Sequence, residues 1–401
     1  MKQKILISIL FCFLFMLTGC WNRKELNDIA ITVALGIDQS EDQYSISAQI
    51  VNPSEIAAKV AGGKGAPVVT YTARGDTVFE ALRKMTKKAP RKIYLSHLRL
   101  IVLGEDFANE VGIGKALDFL SRDHEIRTDF ALLVAKGVSA EKVLQVYTIP
   151  QEIIPSNKIF KSLETSEKAW AATAIVTLDE VISDIVSEGK QPAITGIELT
   201  GEKEKEEVQT KKNVDKISPI SSPQIADVAI FKKDKLVGWL NEEESKGFQY
   251  IMGNVKSTVG HVSCPDGGKV ALEIIRTKSE ITGNVINGKP IANVKIRIEA
   301  NVGDVECDID LSKTENIYKL DKLAEEKVKG KMEDAVKKAK QYRTDIFGFG
   351  EAIHRSNPKA WKEMKDDWNE KFADLQVNIK VDHKLRSLGT ITKSFQDKLK
   401  E

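Results

Sequence analysis

Histidine and cysteine are scarce in this 401-residue chain, and their positions exclude several kinds of catalytic site. None of the five histidines stands in a spacing such as His-Glu-x-x-His, which would place two metal ligands on one helix face, so we expect no metal site. The chain also has no Gly-x-Ser-x-Gly elbow, no P-loop and no Cys-x-x-Cys motif. We therefore predict a protein that is not an enzyme and has no cofactor. The histidines are His97, His124, His261, His354 and His383.

Two weaker chemical patterns do not change that prediction. Gly348-Phe349-Gly350 is followed by Ile353 where a dinucleotide-binding fingerprint needs a third small residue, and it follows a helical pattern, so we predict a turn. Asp366 and Asp367 are adjacent and would point apart on a helix. They do not form the facing carboxylate pair of a glycoside hydrolase.

An excess of positive charge is also missing. The formal net charge is +2, and removal of an N-terminal signal would take Lys2 and Lys4 and leave 58 basic and 58 acidic side chains. Nucleic-acid binding needs basic side chains to neutralise phosphates, so no nucleic-acid partner is expected.

Long apolar runs are absent except at the start of the chain. Lys2 and Lys4 precede the apolar stretch Ile5 to Leu17, and Thr18-Gly19 supply small residues before a cut, which is typical of a secretory signal over residues 1–19. The stretch is shorter than the about 20 apolar residues of a spanning helix. A retained spanning anchor remains the alternative.

Cys20 follows these small residues directly. Leu17-Thr18-Gly19-Cys20 resembles the bacterial lipobox, in which the cysteine sulfur takes a diacylglyceryl group before cleavage. Two acyl chains on one residue give stable anchoring, so we predict attachment to membrane lipid through Cys20. An ordinary signal with a chance cysteine is the alternative.

Two cysteines remain after the signal and the lipid site. Export permits a disulfide between Cys264 and Cys307, and two small buried thiols are the alternative.

The order of strand and helix patterns predicts a mixed α+β and α/β fold. A hairpin over residues 31–50, strands near 68–72, 98–104 and 130–135, and helices between them indicate an N-terminal α/β layer, and one helix is predicted over 166–187. Residues 201–216 are almost all charged or polar and predict a solvated loop or linker. We predict a signal peptide and three mixed sheet-and-helix domains, over residues 1–19, 20–190, 191–265 and 266–401.

The last third of the chain is the most regular. An apolar stripe from Ile317 to Tyr342 keeps helical spacing and predicts a long helix that begins near Ser312 and packs on an antiparallel sheet. Trp361 and Trp368 are seven residues apart on a helix predicted to start at Pro358. Core packing of this pair is expected, with an exposed stripe that meets a partner or a membrane as the alternative.

Several blocks resemble one known family. Cys20 to Ala30, CWNRKELNDIA, followed by Gly36-Ile37-Asp38, looks like the opening of mature Ger(x)C lipoproteins, the C subunits of spore nutrient germinant receptors. Further similar blocks lie at residues 90–97, 229–241 and 345–351, the last together with Pro358, Trp361 and Trp368.

The resemblance implies a non-enzymatic subunit on the outer face of the spore's inner membrane. It also implies two integral-membrane partners, an A subunit and a transporter-like B subunit of a nutrient-triggered receptor, and a three-domain architecture. Two other classes remain open, a solute-binding lipoprotein that captures the nutrient itself and a cell-wall hydrolase, for which no acid-base pair is visible.

Overall fold

The computed structural model describes residues 28–57, 65–148, 152–264 and 267–387. Within these ranges the chain is a mixed α/β protein with two sheets. The strands are β1 Ile29–Ser40, β2 Gln43–Val51, β3 Val68–Gly75, β4 Lys92–Tyr94, β5 Leu100–Leu103, β6 Ala131–Ala135, β7 Ala193–Gly201, β8 Ser221–Lys232, β9 Lys235–Trp239, β10 Thr258–Ser263, β11 Lys269–Ile286, β12 Lys289–Val305 and β13 Gln376–Ser387. The helices are α1 Pro53–Ala57, α2 Val78–Lys84, α3 Gly114–Arg122, α4 Ala140–Gln145, α5 Pro155–Ala169, α6 Leu178–Val186, α7 Glu242–Met252, α8 Thr314–Gln341, α9 Phe349–Ser356, α10 Pro358–Met364 and α11 Trp368–Ala373.

The first sheet has nine strands in the order β3-β2-β1-β5-β6-β7-β8-β9, with β4 beside β1. β1 and β2 pair antiparallel, which confirms the predicted hairpin. β5, β6 and β7 continue the sheet as parallel neighbours, and β8 and β9 return antiparallel. The parallel centre requires helical crossovers, and the chain supplies them between these strands.

Helices cover both faces of this sheet because its central strands are apolar on both sides. In β5, Ile101 and Leu103 face a core with α2, α3 and α6, whereas Leu100 and Val102 face a core with α4 and α5. The start of α2 is capped, since the Thr77 side chain accepts a hydrogen bond from the amide of Glu80.

The single helix predicted over residues 166–187 is wrong. α5 ends at Ala169, and Ala171 has a left-handed backbone with φ of 54°. A second helix, α6, then begins behind Thr177, whose amide donates to the Glu180 carboxylate in a capping box. Apolar residues of the two helices keep nearly the same helical spacing across the break, so the sequence pattern predicted one longer helix.

The charged segment 201–216 is a loop that joins β7 to β8 within the first sheet. It is partly anchored, because the buried Asn213 side chain donates to the backbone oxygens of Tyr147 and Ser221. Strand pairing in the first sheet thus continues past residue 190 and ends at Trp239. The strands of the second sheet begin at Thr258. The division into three domains stays a prediction.

The second sheet has the order β10-β11-β12-β13 and carries the long C-terminal helix. Its first three strands are antiparallel, while β13 pairs parallel to β12 because α8 carries the chain back to the same end. α8 spans 28 residues, and its buried stripe confirms the predicted helix. The stripe comprises Leu320, Ala324, Val328, Met332, Ala335, Val336 and Ala339.

The apolar core of the second sheet is called the second core here, and the core of the first sheet that contains α2, α3 and α6 is called the first core. Two features join these two cores. β8 alternates between the cores, with Ala229 and Phe231 in the first and Val228 and Ile230 in the second. α7 packs closely against α8, since a Cβ at Gly247 would lie 2.1 Å from the Lys331 carbonyl oxygen. Any larger residue at position 247 would push the two helices apart.

Candidate functional site

The predicted lipid site, Cys20, lies outside the described residues. The chain becomes described at Asp28, whose carbonyl oxygen accepts a hydrogen bond of 3.1 Å from the Lys92 amide. β1 begins at the next residue and pairs with β4 through Ile29 and Lys92. The described part of the chain therefore begins beside β4.

The carboxylate of Asp345, a residue that follows α8, is buried and accepts five hydrogen bonds. One oxygen accepts hydrogen bonds from the amides of residues 347, 348 and 349 at 3.0 to 3.2 Å. The other accepts from the Gly350 amide at 2.8 Å and from Trp368 Nε1 at 3.0 Å. Gly348 has φ of 75°, a left-handed value that lets the loop wrap around the carboxylate and then start α9.

Asp345 is fully buried, and its environment sets its charge. Burial raises the pKa of the Asp345 carboxyl to about 6, while the hydrogen bonds that it accepts act in the opposite direction. At neutral pH the carboxylate is ionised, and all five donors face an anion. Such charge-assisted bonds hold the loop in one conformation.

Aromatic side chains surround this loop. The rings of Phe347 and Phe349 stack with centroids 5.0 Å apart, and those of Trp361 and Trp368 meet edge to face at 5.2 Å. Both tryptophans are buried, which confirms the core-packing interpretation. Their placement on one helix is wrong, because α10 ends at Met364 and α11 begins at Trp368.

The same loop docks against the segment that leads into β7. The Gln191 amide donates to the Asp345 carbonyl at 2.8 Å, and the Ser187 hydroxyl donates to Glu351 at 2.9 Å. A Cβ at Gly350 would lie 2.7 Å from the Cα of Gly189, so the two backbones meet at a distance that only glycine permits. The loop predicted as a turn thus fixes the second core to the first.

A cleft of about 660 Å³ opens beside this junction. Its lining includes carboxylates from α6 and α9, but each already has a partner: Asp184 meets Lys190 at 2.9 Å, Asp179 accepts from Thr128 at 2.7 Å, and Glu351 accepts from Ser187. Burial raises the pKa of Asp184, and Lys190 acts in the opposite direction. The cleft is an acidic recess whose carboxylates form hydrogen bonds and ion pairs within the protein.

The other titratable residues do not form a catalytic or metal-binding group in the described part of the chain. No three His, Cys, Asp or Glu side chains within the described ranges are grouped to hold a metal ion. The His383 ring lies 2.8 Å from Asp321, but its side chain is only 1% exposed and is enclosed between β13 and α8. No helix in the described part of the chain is both long and apolar enough to cross a bilayer.

Cys264 and Cys307 form a bonded pair in the structure, with their Cα atoms 6.4 Å apart. Cys264 follows β10 and Cys307 follows β12, and both belong to the second core. The bond would close a loop with a sequence separation of 43 residues around the long β11–β12 hairpin.

Free-thiol counting on the exported protein under denaturing conditions is expected to find no reactive thiol at these two positions. The double variant Cys264→Ser/Cys307→Ser should lower the free energy of unfolding by about 2 to 4 kcal/mol, because the unfolded chain regains the entropy of an open loop. Thermal unfolding with and without reductant measures this. Two reactive thiols in the wild type, or no effect of reductant, would contradict the bond.

Comparison with known proteins identifies the chain. A model of "Spore germination protein N-terminal domain" matches residues 22–199, and one of "Spore germination B3/ GerAC like, C-terminal" matches residues 226–389. Spore germination protein KC of Bacillus subtilis (strain 168) is 30% identical over the whole of both chains. The chain belongs to the Ger(x)C family. Spore germination protein B3 of the same organism is 23% identical, over 98% of this chain and 100% of that protein.

A solved Ger(x)C protein has the same fold. The crystal structure of the GerBC protein matches with a TM-score of 0.55 at 20% identity, covering 88% of this chain and 96% of that one. Within this Ger(x)C chain, residues 345–351, one of the blocks that resemble the family, form the loop around Asp345. Sequence reasoning missed the role of Asp345, although an aspartate two to five residues before a Gly-x-Gly and a helix start is a usable signal.

Proposed function

We propose that this chain is a membrane-anchored lipoprotein subunit of a spore germinant receptor, needed for nutrient-triggered germination. The observation that carries the proposal is the full-length similarity to spore germination protein KC, with family matches in both halves. Diacylglyceryl-modified Cys20 holds the protein on the outer face of the spore's inner membrane. The integral-membrane A and B subunits of the receptor are its partners.

The proposed role is structural and coupling, not catalytic. The loop around Asp345 and strand β8 join the two cores through buried contacts, so a force or displacement at one core is transmitted to the other. A lipid tether raises the effective concentration of the protein at its partners, and each contact with them can therefore be weak.

Direct capture of the nutrient is a second candidate, favoured by one observation, the 660 Å³ cleft at the junction of the cores. A small ligand with an amino group would suit its acidic lining. The coupling role has more support, because the carboxylates of the cleft are already hydrogen-bonded or ion-paired within the protein.

Deletion of the gene in a strain that lacks its other germinant receptors is expected to abolish the response to one set of nutrients and to leave vegetative growth unchanged. Loss of optical density and release of dipicolinic acid after nutrient addition measure the response. Restoring the gene should restore it. A normal response in the deletion strain would overturn the proposal, and tight binding of a nutrient to the purified mature chain in calorimetry would favour capture instead.

A further inference from the structure

An exposed groove with an aromatic floor lies beside β4, near the start of the described part of the chain. Phe79 of α2 and Phe119 of α3 form its floor, with ring centroids 5.6 Å apart, and Phe79 is 48% exposed. The groove has a volume of about 400 Å³. Single exposed apolar side chains are common on protein surfaces, whereas adjacent apolar groups in a groove are typical of a contact with something outside the chain.

Basic side chains lie in this groove and beside it. Arg83 lines the groove, Lys87 follows the lining residue Thr86, and Arg91 precedes the lining residue Lys92. Residues 83–92 contain six lysines and arginines and no acidic residue. The Arg83 guanidinium lies 4.9 Å from the centre of the Phe79 ring. Lys87 and Arg91 are exposed, and no acidic partner is found for either within the described residues.

Some charge near the groove is compensated inside the protein. Lys84 pairs with Glu80, Lys92 with Glu125 and Arg122 with Asp118, each at 2.7 to 2.8 Å. Asp123 also lines the groove, and its carboxylate accepts a hydrogen bond from the Glu125 amide. Arg83, Lys87 and Arg91 outnumber this carboxylate and supply the positive charge that remains for a partner. The acidic and basic totals of the mature chain balance, so this surface is a local excess and not a consequence of overall composition.

The position of the groove near the proposed lipid site indicates a membrane as its partner. Lys92 lines the groove and also bonds through its amide to Asp28, the first described residue. Only residues 21–27 separate Asp28 from Cys20, and even a fully extended chain places these two Cα atoms at most about 28 Å apart. If Cys20 carries lipid, the groove is always within a short distance of the headgroups.

We infer that the groove lined by Arg83, together with the neighbouring exposed Lys87 and Arg91, is a second membrane contact, which docks on anionic phospholipid headgroups. This inference rests on the proposed lipid anchor at Cys20. Phe79 enters the interface between headgroups and acyl chains, while the basic side chains meet lipid phosphates. Two contacts at separate points hold the first core in one orientation on the membrane, which a single flexible tether cannot do.

The test measures the contact without the tether. The mature chain, residues 20–401 with Cys20→Ser, carries no lipid and is sedimented with vesicles of phosphatidylcholine alone or with about 30% phosphatidylglycerol. We expect binding to the anionic vesicles only, and we expect it to weaken as salt rises. Adding Lys87→Glu/Arg91→Glu should reduce the affinity about tenfold or more, and adding Phe79→Ser several-fold.

Lys359→Glu/Lys362→Glu is the matched control. It makes the same change in charge at two exposed positions of α10 in the second core, and it should change vesicle affinity less than about twofold. Equal thermal unfolding midpoints establish that each variant is folded.

Absence of binding, equal binding to both kinds of vesicle, or an equal effect of the control variant would overturn the inference. Labelling of Cys20 with palmitate is a separate measurement, so failure of the anchor and failure of the groove are distinguishable.

Discussion

Replacing Asp345 with alanine is expected to destabilise the protein by at least about 5 kcal/mol and to prevent the second core from docking on the first. The change leaves four backbone amides and the Trp368 indole without their common acceptor. Each buried donor without a partner costs about 1 to 3 kcal/mol, and a whole domain is stable by only about 5 to 15 kcal/mol. Chemical denaturation followed by tryptophan fluorescence measures the effect.

Asp345→Asn is the isosteric companion. An amide group has one accepting oxygen, so its nitrogen must face donors on the other side of the loop, and the variant should be destabilised by less than Asp345→Ala but clearly. Asp366→Ala removes an exposed carboxylate from the same region and should change stability by less than about 0.5 kcal/mol. A similar stability for Asp345→Ala and Asp366→Ala would contradict the role assigned to Asp345.

A second measurement compares how the free energy of unfolding of the wild type and of Asp345→Asn depends on pH. An unfolded aspartate titrates near pH 3.9 and the folded Asp345 at about 6, so the folded state keeps its proton longer and loses stability as pH rises between these values. The asparagine variant has no such titration. The advantage of the wild type over Asp345→Asn in free energy of unfolding should therefore be about 1 kcal/mol larger at pH 5 than at pH 7.

Local periodicity predicted the elements that are both regular and long enough to show a pattern. The stripe of α8 and the hairpin of β1 and β2 both follow from near neighbours in the sequence, and the structure has each of them. These features depend on residues within a few turns of one another, which a sequence displays directly.

Features that depend on distant residues were not visible in this way. The break between α5 and α6 places Thr195 Oγ1 within hydrogen-bond distance of both the Ala174 amide and its carbonyl, across 21 residues. Asp345 meets Trp368 across 23 residues, and its loop meets Gly189 across a longer span. Composition near either partner alone gives no sign of such contacts. β8 likewise has an ordinary apolar pattern and only the tertiary arrangement shows that it faces two cores.

Substitution of Cys20 with alanine is expected to abolish labelling by radioactive palmitate and to move the protein from the membrane fraction to the soluble fraction. A thioether-linked diacylglyceryl group supplies two acyl chains, and two chains anchor a protein stably where one gives only marginal binding. Germination with the nutrient set of this receptor should fall toward that of the deletion strain, because the tether no longer concentrates the subunit at its partners.

Cys12→Ala is the matched control, since Cys12 belongs to the apolar part of the signal and should be lost with it; this variant should keep the full label. The length of the mature chain separates the remaining alternatives. Cleavage of the wild-type chain before residue 20, together with loss of label in Cys20→Ala, supports the anchor. Equal label in the wild type and in Cys20→Ala removes the lipid claim.

A wild-type protein that keeps residues 1–19 and stays in the membrane without label would instead indicate a spanning segment. If the groove at Phe79 also docks, the released Cys20→Ala protein should keep a weak association with anionic membranes that salt removes, so the fraction released should rise with ionic strength.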